Sequence, residues 1–307
     1  MIEVCRPIVL SSYHPILLPC AETMTTILSQ NSYGKSAVRL LKVTRDGSHH
    51  EIRELAVDVS LTGAFEAAHI AGDNSLVLPT DTMKNTVYAK ARELDIGAPE
   101  EFGIALATHF LGASAAAQSA RVDIRESCWR RLTVDGVPHN HAFERGSNEL
   151  RTARVTLARD GVPAVVAGIE DLLILKSGRS GFSGYPRDQY TTLRETDDRI
   201  LATSMTARWR YIEGTVDFGA QFLNVRDAML DTFADHDSKS VQHTLYAMAE
   251  AAIEQCVAVA EITIVMPNKH HLLVDLAPLG LANANEIFVP TAEPYGLIEA
   301  TLARGAA

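Results

Sequence analysis

Aromatic residues make up only 6% of this 307-residue chain, so a core of ordinary size must be built from Val, Leu, Ile and Ala. Positive charge is also scarce: 28 Lys and Arg against 38 Asp and Glu leave a formal charge of -10. A nucleic-acid-binding surface is basic, so that class is set aside. An anionic ligand would have to be met by local positive groups rather than by the field of the whole molecule. The four cysteines, Cys5, Cys20, Cys128 and Cys256, form no CxxC pair and no metal-ligand spacing, and reduced thiols are expected. A bridge between subunits through Cys5 or Cys20 stays open at this point. No apolar run approaches the length of a membrane span. In the opening stretch Met1 to Thr23, Pro7 and Tyr13-His14-Pro15 interrupt the apolar residues, and no small-residue cleavage motif follows. No signal peptide is expected there. Residues 1–23 also predict neither strand nor helix, and are expected to be a disordered or dispensable extension. The last residues, Leu302 to Ala307, lack the Ser-Lys-Leu peroxisomal address, and a cytoplasmic location is expected.

What is present suggests two similar units, since 307 residues exceed one average domain. From Ala37 to Arg45 apolar and polar residues interleave, and Leu55, Val57, Val59 and Leu61 alternate with polar or small partners. This period of two predicts two half-buried strands. Asp81 is expected to cap a helix carrying Met83, Val87 and Ala91, and Pro99 to open a second one with Phe102, Leu106 and Phe110 on one face. Strands are predicted through Val122 and Ile124, then through Val134 and around His141.

The order then repeats. Arg151 to Arg159 and Val162 to Ser177 read as strands joined at Asp160-Gly161, a strong hairpin turn. Helical patterns follow on Phe222, Val225, Met229 and Phe233, and on Val241, Leu245, Met248 and Ala252; Glu261 to Met266 and His271 to Leu276 close the half as strands. Units of 24–150 and 151–307, each an antiparallel sheet with helices on one face, make an α+β protein.

Four short motifs carry chemistry. They are Tyr33-Gly34-Lys35, Pro79-Thr80-Asp81-Thr82, the stretch from Gly184-Tyr185-Pro186-Arg187 to Asp197-Asp198-Arg199, and Pro267-Asn268-Lys269-His270-His271. Taken singly, Lys35 is a solvated amine, Arg199 a surface ion-pair partner, Phe182 a packing aromatic, and Gln242 a helix-start residue after Ser240. Adjacent His270 and His271 on a strand would point to opposite faces, which weakens a metal reading. His139 and His141 share a face and are the better pair, yet no third ligand is in view.

Taken together and in this order, the motifs resemble the urate oxidase (uricase) family, from about Leu28 to Ala300. The resemblance implies two tandem tunnelling-fold units whose sheets join edge to edge into a β-barrel, with two barrels stacked as a homotetramer. It implies oxidation of urate by molecular oxygen and water to 5-hydroxyisourate and hydrogen peroxide, with no cofactor and no metal. Lys35, Thr80 and His270 would form the proton relay. Thr80 and Asp81 would direct main-chain N–H groups to the five-membered ring of urate. Phe182 would stack on the purine and Leu193 fill the pocket beside it. Arg199, Gln242 and the Val241 N–H would hold the far edge, and Asn268 would lie above the urate plane where oxygen sits. The alternative is a non-oxidative tunnelling-fold enzyme acting on a pterin or purine. The zinc-dependent enzymes of that kind need Cys/His ligand sets that this chain does not assemble. A purine-binding protein without catalysis is a third class, against which Lys35, Thr80 and His270 argue.

Overall fold

The computed structural model describes residues 26–305 apart from 213 and 215; Cys5, Cys20 and the expected extension at 1–23 therefore lie outside the described residues. Strand β1 (Tyr33–Asp46) returns as β2 (His49–Gly63) through Gly47, whose φ of 56° suits a residue without Cβ. A short α1 (Glu66–Ala71), then α2 (Thr80–Glu93) and α3 (Pro99–Ala113), lead to β3 (Ala117–Ser127). A small hairpin, β4 (Arg130–Val134) and β5 (Val137–Glu144), precedes β6 (Leu150–Ala158), which turns at Asp160-Gly161 into β7 (Ala164–Lys176). The second series runs through β8 (Leu201–Tyr211), α4 (Phe218–Asp235), α5 (Val241–Gln255) and β9 (Val259–Asn268). A second small hairpin, β10 (His271–Leu273) and β11 (Phe288–Pro290), separates β9 from the last strand, β12 (Gly296–Ala303).

One antiparallel sheet holds eight of these strands in the order β1-β2-β3-β6-β7-β8-β9-β12. The order is the same four-strand arrangement twice, and a small hairpin interrupts each half at the same place, before its fourth strand. Two expectations are corrected here. The segments through Val134 and His141, and from His271 onward, are these insertions rather than closing strands. After the first insertion the sheet continues with β6, and after the second with β12, a strand absent from the expectations. Gly296 to Ala303 buries no residue fully, so its alternation gave little to read.

Cross-strand register fixes which face is wet. Val38, Val57, Ile124, Ala153, Ala167, Trp209 and Ile262 form one paired row across seven strands, and all are buried. Paired residues point to one side of the sheet, so this row defines the face on which the helices pack. There α2 lies on β1, α3 across β3 and β6, and α5 across β9 and β12. Phe102, Leu106 and Phe110 of α3, Val225 and Met229 of α4, and Leu245 and Met248 of α5 complete the core. The opposite face carries the charged row of Asp58, Arg121, Asp123, Arg125, Arg154, Glu170 and Arg208, tied by ion pairs such as Arg125–Asp58 at 2.8 Å. Among the described residues no helix is long and apolar enough to cross a membrane.

A buried ion pair ties β6 to the start of α3. Arg151 of β6 reaches Glu100 of α3 at 2.7 Å, donates to the Phe218 carbonyl at 3.1 Å, and stacks 4.3 Å over the Phe222 ring. Burial raises the Glu100 carboxyl above its usual range, with the Arg151 charge opposing that rise. Removing one partner of such a pair strands the other charge. Arg151→Ala is expected to cost about 3–5 kcal/mol in chemical denaturation. The double variant Glu100→Met/Arg151→Met, which removes both charges, is expected to lose less. Equal losses in the two would contradict this assignment.

Candidate active site

The first group of candidate residues is built where β1 meets the start of α2. A Cβ on Gly34 would fall 1.8 Å from the Val59 carbonyl oxygen, so only glycine lets β1 approach β2 this closely. Beside it, the Tyr33 hydroxyl accepts the Leu78 N–H at 2.9 Å while its ring meets Phe65 edge-on at 4.8 Å. That bond holds the residues preceding Pro79 against β1. Burial raises the Tyr33 pKa, which keeps the hydroxyl protonated.

Helix α2 then begins at Thr80, with Pro79 as its N-cap and no side-chain cap. Asp81 is therefore not the cap the sequence suggested. With Pro79 as N-cap the helix starts two residues earlier than an Asp81 cap would allow, and Asp81 falls in the first turn. Its carboxylate binds Lys84 at 2.5 Å and Asn85 at 3.1 Å. The Lys84 bond and charge hold it below the usual carboxylate range, with smaller contributions from Asn85 and from the charge of Lys35. Lys35 is thus electrostatically within reach of this helix start, where uncapped N–H groups favour an anion.

The second group surrounds a cavity of about 140 Å³ lined by Phe182, Leu193, Arg199, Asn268 and His270. Phe182 is fixed by a two-way backbone pairing with Thr196, at 2.7 and 3.2 Å. The Arg199 guanidinium carbon lies 5.4 Å from the Phe182 ring centre. Burial lowers the Arg199 pKa, and its Nε is buried with no hydrogen-bond partner among the described residues. An unpaired buried donor calls for an explanation, and this one borders a cavity. Asn268, at the end of β9, is buried between Thr203 and Gly296. The next turn is held by the Lys269 N–H on the Ala202 carbonyl and the Thr291 N–H on the His270 carbonyl, both at 2.9 Å.

Val241 and Gln242 open α5, Val241 buried and Gln242 exposed. Neither lines the small cavity. The segment bearing Phe182 is nevertheless bonded to the approach to this helix, through the Gly181 N–H on the Ser238 carbonyl at 2.8 Å. Tyr185 was given no role from sequence. Its ring stacks on Phe182 at 4.9 Å and 14°, and its hydroxyl donates to the Leu193 carbonyl at 2.8 Å. Its place in the Gly184-Tyr185-Pro186-Arg187 stretch was the available signal.

The two groups do not meet within one chain. Lys35 is on the edge strand β1 and Asn268 on β9, six strand steps away in the sheet, or on the order of 29 Å at about 4.8 Å per step. A concavity of about 790 Å³ between β1 and the end of α2 contains none of the candidate residues. Cys128 and Cys256 are free thiols. His139 and His141 lie 4.6 Å apart with His50 nearby; among the described residues no group of three or more His, Cys, Asp or Glu could hold a metal.

This α+β arrangement of one antiparallel sheet with helices on one face is that of the tunnelling fold. The family model described as Uricase matches residues 31–156 and 165–299, leaving out residues 157–164, the turn between β6 and β7 with the adjoining strand ends. The chain belongs to the uricase family. It is 48% identical to the Arthrobacter globiformis uricase over 92% of this chain and 93% of that protein, and 41% identical to the Dictyostelium discoideum uricase over 92% and 98%. The crystal structure of the Arthrobacter enzyme superposes with a TM-score of 0.87, covering 92% of this chain and 97% of that one.

Proposed function

We propose that this chain oxidises urate with molecular oxygen and water, yielding 5-hydroxyisourate and hydrogen peroxide without a resident cofactor. The observation that carries the reading is Arg199. A desolvated guanidinium with an unpaired Nε, set against Phe182 in a cavity shared with Asn268 and His270, suits a flat anionic heterocycle. Lys35 and Thr80 take a proton from bound urate, and His270 orders that relay. The electron-rich anion passes two electrons to oxygen, which takes up the proton held by the relay and one from solvent and leaves as hydrogen peroxide; water then adds across the oxidised ring, its hydroxyl to carbon and its other hydrogen to nitrogen. Asp81 and Thr80 present backbone N–H groups to the five-membered ring. Leu193 packs beside the ring, Val241 and Gln242 bind its far edge, and Asn268 holds oxygen or water above it. The chain's work is orientation and proton transfer.

The separation of the two groups supports a site shared between subunits, in a homotetramer built from two tandem tunnelling-fold units per chain. In this reading β6 closes the first unit, the sheets join into a barrel, and the enzyme works in the cytoplasm. The direct test follows urate absorbance, oxygen uptake and peroxide release together in metal-free buffer. Equal stoichiometry supports the proposal, and no urate-dependent oxygen uptake would sink it. Arg199→Ala is expected to raise KM by about 10- to 100-fold, the loss of a charged hydrogen bond worth roughly 1.5–3 kcal/mol. An unchanged KM would remove Arg199 from the substrate.

A further inference from the structure

We propose that Asp58 is a positioning residue for the reaction: its carboxylate clamps a β-bulge that turns Lys35 toward the helix-covered face. This rests on the role given to Lys35 above. The pairing of β1 with β2 shifts by one residue along its length. Tyr33, Gly34 and Lys35 face Leu61, Ser60 and Val59, whereas Val38 faces Val57. Ser36 and Ala37 together therefore oppose the single residue Asp58, which is a bulge. Carried back without it, the Val38–Val57 register would set Lys35 opposite Ser60, on the same side of the sheet as Asp58. With the bulge Lys35 lies opposite Val59, which is buried on the helix side. A slip of one residue exchanges the faces of a strand, so this one extra residue decides whether the amine points toward α2 and Thr80 or away from them.

The bulge is not held by its own backbone preference. Ala37 sits at φ 55°, a left-handed conformation that alanine adopts reluctantly. The ladder break leaves the Ala37 N–H without a strand partner, and Asp58 Oδ1 accepts it at 2.5 Å. The other oxygen, Oδ2, binds Arg125 Nη2 of β3 at 2.8 Å. Asp58 is thus anchored from the third strand while it holds the first. Among the described residues, neither of its hydrogen-bond partners is a candidate substrate residue.

The test compares Asp58→Val, Asp58→Asn, Lys35→Met and the double variant Lys35→Met/Asp58→Val as assembled enzymes. Valine matches the size of aspartate and favours strands but cannot accept the Ala37 N–H. It is expected to lower kcat about 100-fold with KM within about twofold, as for a misplaced reacting group. Asparagine keeps an acceptor oxygen and should hold kcat within about threefold of wild type, since the bond survives in neutral form. Because Asp58 acts through Lys35, the double variant should be no slower than Lys35→Met alone, within about twofold. Near-normal kcat in Asp58→Val, additive losses in the double variant, or a loss in Asp58→Asn matching that in Asp58→Val would each overturn the proposal. If Asp58→Val does not assemble, Asp58→Ala takes its place. Failure of both beside a normal Asp58→Asn would also overturn it, because the residue would then hold the fold and not the lysine. A fully active Lys35→Met would instead refute the role of Lys35, separately from the clamp.

Discussion

Lys35→Met is expected to lower turnover by about 10²- to 10⁴-fold, the usual contribution of a positioned acid–base group, while the protein assembles and melts as before. Methionine keeps the apolar stem of lysine, and Lys35 is a half-buried residue on an edge strand, outside the hydrophobic core formed by the described residues. Little folding energy is therefore at stake. What is lost is the amine beside the start of α2, whose charge reaches the Asp81 carboxylate. The measurement is steady-state oxygen uptake at saturating urate, with thermal melting and oligomeric state as controls. Turnover within a few-fold of wild type would take Lys35 out of the relay. The contrast with Arg199→Ala is informative, since one change should act on kcat and the other on KM.

Much of the framework was legible because it depends on periodicity. Leu55, Val57, Val59 and Leu61 alternate and are buried; Phe102, Leu106 and Phe110 recur at helical spacing and are buried on α3. Pro99 stands at the first position of its helix, where its missing N–H costs nothing. The misreadings have local causes. Both small hairpins were taken for fourth strands because short alternating segments look alike whether they join the main sheet or pair with each other. Asp81 was read as a cap because residue preference at a helix start is strong, but Pro79 had already set where the helix begins.

The candidate site divides along the same line. Motif order made the residue identities readable, whereas the face on which Lys35 emerges was not. The bulge depends on Ala37 and Asp58, which are 21 residues apart, and neither residue type announces a bulge. Clustering of Phe182 with Arg199 needed the pairing of Phe182 with Thr196, a loop contact outside any regular strand. Pattern reading finds elements, while loop pairings and register shifts set where side chains converge.

An equal mixture of Thr80→Ala and Arg199→Ala chains, unfolded and reassembled together, is expected to turn over dilute urate faster than either parent alone. The reason is geometric. Thr80 stands at the start of α2, which packs on the edge strand β1, and Arg199 lies in the loop before β8, several strands further across the sheet. No cavity among those described joins the two. If a second copy brings its first-half residues to this chain's Arg199 side, each site of a twofold pair draws Thr80 from one chain and Arg199 from the other. A hybrid pair then holds one site with both lesions and one with none. Random pairing gives hybrids in half of the dimers, so about a quarter of all sites are restored at a twofold interface. The assay runs at urate concentrations well below saturation, where the Arg199→Ala parent is weakest, and mass spectrometry verifies that hybrids have formed. Verified hybrids no more active than the parents would mean that each chain completes its own site, and the shared-site proposal would fall.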